Sequence, residues 1–101
     1  VTNNHAPQID RIVHEPARLK IMMILSGVRE ADFTFLLTTL GLTRGNLSRH
    51  VEKLESAGYL RVRKSFRGRI PNTSYRLTSA GVSALSRYWD DLDAVRRIGA
   101  S

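Results

Sequence analysis

With 101 residues, 42% of them hydrophobic and 25% charged, the chain has the size and composition of one folded globular domain rather than of a disordered polymer. It contains no cysteine, which excludes disulfides, thiolate metal sites, cysteine nucleophiles and cysteine redox sensing. Its net charge of +7 falls entirely between Arg44 and Arg76, where nine basic residues meet only Glu52 and Glu55, so one third of the domain carries a basic face of the kind that a phosphate backbone attracts.

The polar stretch Val1 to Gln8 lacks the apolar run of a signal peptide and reads as a flexible leader. Ile9, Ile12 and Val13 fall at helical spacing and predict a short first helix that ends near His14 and Glu15. Pro16 suits the opening turn of a second helix, whose apolar residues from Ala17 to Leu25 nearly encircle it and make it central. Asp32 is a plausible N-cap for a third, short helix carrying Phe33, Phe35, Leu36, Leu37 and Leu40, and Gly41 closes it. Thr43 then caps a fourth, from about Arg44 to Ala57, in which Leu47, Val51 and Leu54 recur at i, i+4 and i+7 and Gly58 supplies the stop. A short helix, the turn Gly41-Leu42-Thr43 and a helix with a charged outer face form a helix-turn-helix pattern.

From Tyr59 the period becomes alternating. Leu60 and Val62 face one way and Arg61, Arg63 and Ser65 the other, which predicts a strand. A loop over residues 67–72 follows, then a second strand in which Tyr75 and Leu77 alternate with Ser74 and Arg76, so the two strands make a hairpin. Thr78 can cap a last helix whose apolar stripe is Leu85, Tyr88, Trp89, Leu92, Val95 and Ile98. The predicted fold is mainly α with a small β-hairpin: a winged helix-turn-helix with an extra C-terminal helix.

Three segments in this order resemble the winged-helix regulators of the MarR and ArsR groups over roughly residues 9–98. They are the stretch from His14 to Ile21, the stretch from Thr43 to Leu60, and Tyr75-Arg76-Leu77-Thr78-Ser79-Ala80-Gly81. The resemblance implies a homodimer, joined through its terminal helices, that binds pseudo-palindromic double-stranded DNA and regulates transcription. The chain departs from the longer MarR type in having one terminal helix instead of two, and from ArsR sensors in lacking their cysteine metal motif. Residues 9–78 are then expected to be the DNA-binding domain and residues 79–98 a dimerisation helix.

On the fourth helix the core residues leave Arg44, Gly45, Asn46, Ser48, Arg49 and Lys53, with the cap Thr43, on or near the outer face. Arginine can bind guanine bidentately, asparagine can pair with adenine, and Gly45 lets the backbone come close, so these are the expected groove readers. In the hairpin, Arg67 and Arg69 flank Gly68 at a tip that suits a minor groove, while Arg61, Arg63, Lys64 and Arg76 suit phosphates. The same charges would also serve a solvated helix face and a strand edge protected from aggregation. Ile9, Ile12, Leu85, Tyr88, Trp89, Leu92, Val95 and Ile98 are the expected dimer contacts, although the last helix could equally cover the chain's own core.

No nucleophile and base, paired carboxylates or ligand-spaced histidines are present, so no catalytic residue, metal or cofactor is expected. His50 is expected to pack or hydrogen-bond beside the core. The chain has no membrane-length apolar run, and a cytoplasmic location is expected. Any effector, its chemistry open, would sit in a cleft between the terminal helix and the winged domain. The competing reading is a winged-helix module that binds another protein, because fold alone does not establish function.

Overall fold

The computed structural model describes residues 5–100; the first half of the expected leader, residues 1–4, lies outside them, and residues 5–8 form no helix or strand. The elements are α1 (Pro16–Ser26), β1 (Ala31–Asp32), α2 (Phe33–Leu40), α3 (Arg44–Ser56), β2 (Leu60–Arg67), β3 (Ile70–Leu77) and α4 (Ser79–Ala100). Four helices therefore surround a three-stranded antiparallel sheet of order β1-β3-β2, which is a winged helix arrangement. No helix among the described residues is long and apolar enough to cross a membrane.

The expected first helix is absent; residues 11–13 form a single turn, closed by His14 N donating to Asp10 O at 2.8 Å. Two local causes prevent its growth. The Asp10 carboxylate accepts from Ile12 N at 2.8 Å and Val13 N at 3.3 Å, offering those amides a partner outside any helix. Pro16 then forces the preceding residue into extended backbone, and Glu15 sits at φ −148° and ψ 131°. Glu15 nonetheless serves as N-cap of α1, its side chain accepting from Arg18 N at 2.8 Å. Asp10 also accepts from the Tyr59 hydroxyl, which ties the turn to the start of β2 and, chiefly through that hydrogen bond, raises the Tyr59 phenol above its ordinary pKa.

Helix α1 is central as expected: Ile21, Met22 and Leu25 are buried, and Leu36 of α2, Leu47 and Leu54 of α3 and Leu60 of β2 complete the middle of the core. Met23, on the far side of α1, is left exposed. Asp32 caps α2 by accepting from Phe35 N at 2.8 Å, and Gly41 ends it at φ 65°, its N–H reaching Leu37 O. Thr43 Oγ1 accepts from Asn46 N at 3.1 Å and so starts α3 where the sequence places it. At the other end Gly58, at φ 81°, donates to Glu55 O while Tyr59 N donates to Leu54 O, a Schellman ending that turns the chain directly into β2.

The hairpin is longer and tighter than expected. β2 and β3 pair residue for residue from Leu60↔Leu77 to Arg67↔Ile70, leaving only Gly68 and Arg69 as the turn instead of a loop over 67–72. Gly68 at φ 62° followed by a residue of negative φ has the sign pattern of a type II′ turn, which matches the twist of the strands it joins. Pro71 does not interrupt the ladder, because Phe66↔Pro71 is the pair next to the turn-closing one and its missing N–H would have pointed outward. Ser74 is 3% exposed, because β1, a strand that the sequence does not announce, pairs Asp32 with Ser74 and Ala31 with Tyr75.

Helix α4 leaves the hairpin along a staple of three hydrogen bonds. Thr78 N donates to Tyr59 O, the Thr78 hydroxyl donates to Gly58 O at 2.6 Å, and the same oxygen accepts from Gly81 N at 3.0 Å. Leu85 and Tyr88, read as dimer contacts, are 6% and 3% exposed and belong to the core of this chain. Ile9, Ile12 and Leu92 are partly buried against the same core.

Candidate nucleic-acid interface

The N-terminal half of α3 is exposed on the side away from the core. Leu47, Val51 and Leu54 anchor the helix, and on its other side Thr43, Arg44, Gly45, Asn46, Ser48, Arg49 and Lys53 are all exposed. Two of these side chains are held in place by neighbours. Arg49 Nη2 donates to Asn46 Oδ1 at 2.7 Å, one helical turn back, so the guanidinium and the amide present a joined polar edge. The Arg44 guanidinium lies 5.5 Å from the centre of the Phe33 ring, a cation–π contact with α2. Phe33 was expected only as a helix residue; the contact depends on how α2 packs on α3, which spacing does not reveal.

Gly45 is an ordinary helical glycine with nothing within 4 Å of where a Cβ would stand, so neither crowding nor backbone conformation requires it. Glycine costs a helix stability relative to alanine. Gly45→Ala is therefore expected to stabilise the fold by up to about 1 kcal/mol while weakening DNA binding several-fold, because the added methyl stands on the approach surface. Thermal unfolding and duplex titration of the same variant check both signs.

In the hairpin, strand alternation separates the basic residues. Arg61, Arg63, Arg67 and Arg76 share the sheet face turned away from α3, with Arg61 directly opposite Arg76. Lys64 is on the other face, lining an open groove with Ser48 and Glu52 of α3. Arg69 is in the turn. Two arginines expected as DNA contacts are engaged by carboxylates that the sequence reading did not connect to them. Arg63 binds Glu30 bidentately, its Nε and Nη2 donating to the two carboxylate oxygens at 2.9 and 2.7 Å, and Arg67 Nη2 is 3.0 Å from the carboxylate of Asp32. These pairs clamp the segment around β1 to the hairpin. Arg61, Lys64 and Arg69 have no carboxylate partner among the described residues.

The Arg63 hydrogen bonds hold the Glu30 carboxyl at a pKa of about 2, down from 4.5. A carboxyl depressed by folding contributes stability that is present above 4.5 and lost as the pH falls toward 2. Carboxyl-carbon NMR is expected to show Glu30 titrating near 2 in the native chain and at clearly higher pH in Arg63→Met.

His50, on the inner flank of α3, lies 3.2 Å from Arg18 Nη1 through its Nδ1 and 3.8 Å from the Glu15 carboxylate, the packed and hydrogen-bonded setting expected for it. His14 Nδ1 is 2.8 Å from the Tyr88 hydroxyl. No group of three potential metal ligands occurs among the described residues. Between the N-terminal turn and α4 lies an open cleft of about 700 Å³ lined by Gln8, Ile9, Asp10, Arg11, His14, Arg87 and Asp91.

Comparison with known proteins bears directly on this arrangement. The model of the winged helix DNA-binding domain family matches residues 17–95. An uncharacterized protein of Methanocaldococcus jannaschii is 35% identical over 79 residues, covering 77% of this chain and 85% of that one. The structure of a transcriptional regulator homologue from Pyrococcus horikoshii OT3 superposes with a TM-score of 0.80 at 34% identity, with 87% of each chain covered. A MarR family transcriptional regulator from Streptomyces coelicolor, solved in complex with DNA, superposes with a TM-score of 0.69 over 88% of this chain and 60% of its own, and at 24% identity the likeness is one of fold. The matched span runs from the first turn of α1 through the helix-turn-helix and the hairpin into α4, so this chain belongs to the winged helix DNA-binding domain family.

Proposed function

We propose that this chain binds double-stranded DNA sequence-specifically as a homodimer and thereby regulates transcription, with α3 in the major groove and the basic hairpin on the minor groove or the phosphates. The observation that carries this reading is the outer side of α3, where Arg44, Asn46, Ser48 and Arg49 stand exposed on a helix whose opposite side is fixed in the core. Such a helix end offers bidentate donors for guanine, an amide for adenine and free backbone N–H groups for a phosphate. The DNA complex solved for the Streptomyces regulator supports the same use of the fold.

Residues 9–78 act as the DNA-binding unit and residues 79–98 as the dimerisation helix. Beyond Leu92 the helix runs out from the core, and Trp89, Val95 and Ile98 are 43%, 39% and 48% exposed around much of its circumference. The radius of gyration of 16.0 Å exceeds the roughly 13 Å usual for 100 residues in a compact fold, as expected for a chain whose projecting helix is covered by a second copy. With Leu85 and Tyr88 committed to the core, the interface is built from Trp89, Val95 and Ile98, bordered by Ile9, Ile12 and Leu92.

The test is selection of bound sequences from a random duplex pool, followed by anisotropy titration at several salt concentrations. Enrichment of an inverted repeat with half-sites about 34 Å apart and a steep fall of log K with log salt are the expected results. No binding even at low salt would transfer the basic surface to a protein partner instead.

A further inference from the structure

Phe66 and Ile70 are 71% and 70% exposed, more than any other large hydrophobic side chain among the described residues. Both lie at the end of the hairpin, on either side of the two-residue turn. The register sets Phe66 opposite Pro71 on the face that Lys64 presents toward α3, and Ile70 opposite Arg67 on the reverse face. Each stands uncovered by this chain on its own face of the tip, beside basic residues. At this place neither the core nor α4 can cover them, because eight strand residues carry the tip about 26 Å from the base of the hairpin.

The surroundings identify the occupant. From Lys64 to Ile70 the tip carries Lys64, Arg67 and Arg69 and no acidic residue; Arg67 is paired with Asp32, which leaves Lys64 and Arg69 to repel a second copy of the tip and attract a polyanion. An apolar side chain framed by cations suits a minor groove, whose walls are anionic and whose floor is the flat edge of stacked bases. The tip is also rigid enough to press: the β2–β3 ladder is unbroken up to Arg67↔Ile70, and the Arg67 ion pair with Asp32 fixes its last rung to the body of the domain.

We propose that the hairpin tip is an apolar wedge, and that on duplex DNA Phe66 enters the minor groove, partly unstacks one base step and bends the duplex toward the major groove at that step. The inference rests on the DNA-binding reading above and adds a deformation of the DNA to it. Specificity would then include flexible pyrimidine–purine steps beneath the tip, at positions that α3 does not touch.

The experiment uses the full chain and duplexes of the enriched sequence with 2-aminopurine placed at each adenine in turn, or random-sequence duplex if none is enriched, together with end-to-end energy transfer on the same DNA. The native chain is expected to raise 2-aminopurine fluorescence at one step per half-site and to shorten the end-to-end distance. Phe66→Ala is expected to abolish both signals and to lower affinity about tenfold with an unchanged salt slope, because it removes no charge. Arg69→Ala is expected to do the reverse, lowering the salt slope while the fluorescence signal persists. Since Phe66 is 71% exposed, Phe66→Ala is expected to melt with the native chain, which separates loss of the wedge from loss of the fold. Binding by the native chain without unstacking or bending, or both signals surviving in Phe66→Ala, would overturn the wedge alone. No binding by the native chain would overturn the DNA-binding reading as well.

Discussion

Gly81→Val is expected to be among the most damaging single substitutions in the chain, costing about 3 kcal/mol or more and lowering the melting temperature by roughly 10–20 °C. A Cβ built at Gly81 stands 2.3 Å from the carbonyl oxygen of Tyr59 and 2.9 Å from Leu77 Cδ1. The first contact is with backbone, and that carbonyl already accepts from Thr78 N at 3.0 Å, so it cannot move aside without breaking the staple that joins α4 to the end of α3. Gly99, in the same helix, has nothing within 4 Å of its Cβ position, and Gly99→Ala is expected to leave stability unchanged or slightly raised. Thermal unfolding of the two variants side by side checks the argument; equal melting temperatures would mean that α4 does not pack on Tyr59 as described.

The second large effect is expected on binding. Arg49→Ala should lower affinity for the enriched duplex by roughly 10–100-fold, the range for losing one bidentate base contact, with the melting temperature unchanged because the side chain is exposed. Arg49→Lys should recover little, since an ammonium cannot reproduce a forked contact. Arg49 and Asn46 share a 2.7 Å hydrogen bond, so the double variant Arg49→Ala with Asn46→Ala is expected to lose less than the two separate losses combined. Full additivity would mean that the pair does not act as one polar edge.

The parts of this molecule that were legible in the sequence are those written in adjacent residues. The Thr43 cap, the Leu47, Val51 and Leu54 spacing and the Gly58 stop give α3 to within a residue. The stretch from Leu77 to Gly81 carries a family resemblance whose physical content emerges only in the structure: the threonine caps α4 and the glycine admits the Tyr59 carbonyl. Features that depend on distant partners were not legible. β1 is two residues long and exists only because β3 lies beside it, and burial of Ser74 follows from the same pairing. Glu30 and Asp32 gave no sign that they would hold Arg63 and Arg67, more than thirty residues away. The missing first helix is a different case: apolar spacing at Ile9, Ile12 and Val13 was real, but the Asp10 side chain and Pro16 outweighed it locally. The terminal helix shows a third limit, because one apolar stripe serves two ends: Leu85 and Tyr88 close the core while Trp89, Val95 and Ile98 remain exposed.

These distinctions redistribute the roles assigned to the basic third of the chain. Arg63 and Arg67 are paired with the segment around β1, while Arg61, Lys64 and Arg69 have no carboxylate partner among the described residues. An expectation built on charge alone treats all of them as equivalent. Removal of Arg63 should therefore loosen the hairpin, whereas removal of Arg69 should lower the salt dependence of binding.

The central claim, two copies of α3 in successive major grooves, is tested most directly by methylation interference on the enriched duplex. Guanine N7 reports the major groove and adenine N3 the minor groove. The account predicts two clusters of N7 interference on one face of the DNA, centred about 10 base pairs apart, with N3 interference where the hairpin tips lie. Interference at N3 alone, a single N7 cluster, or none on a duplex that is nonetheless bound would contradict it.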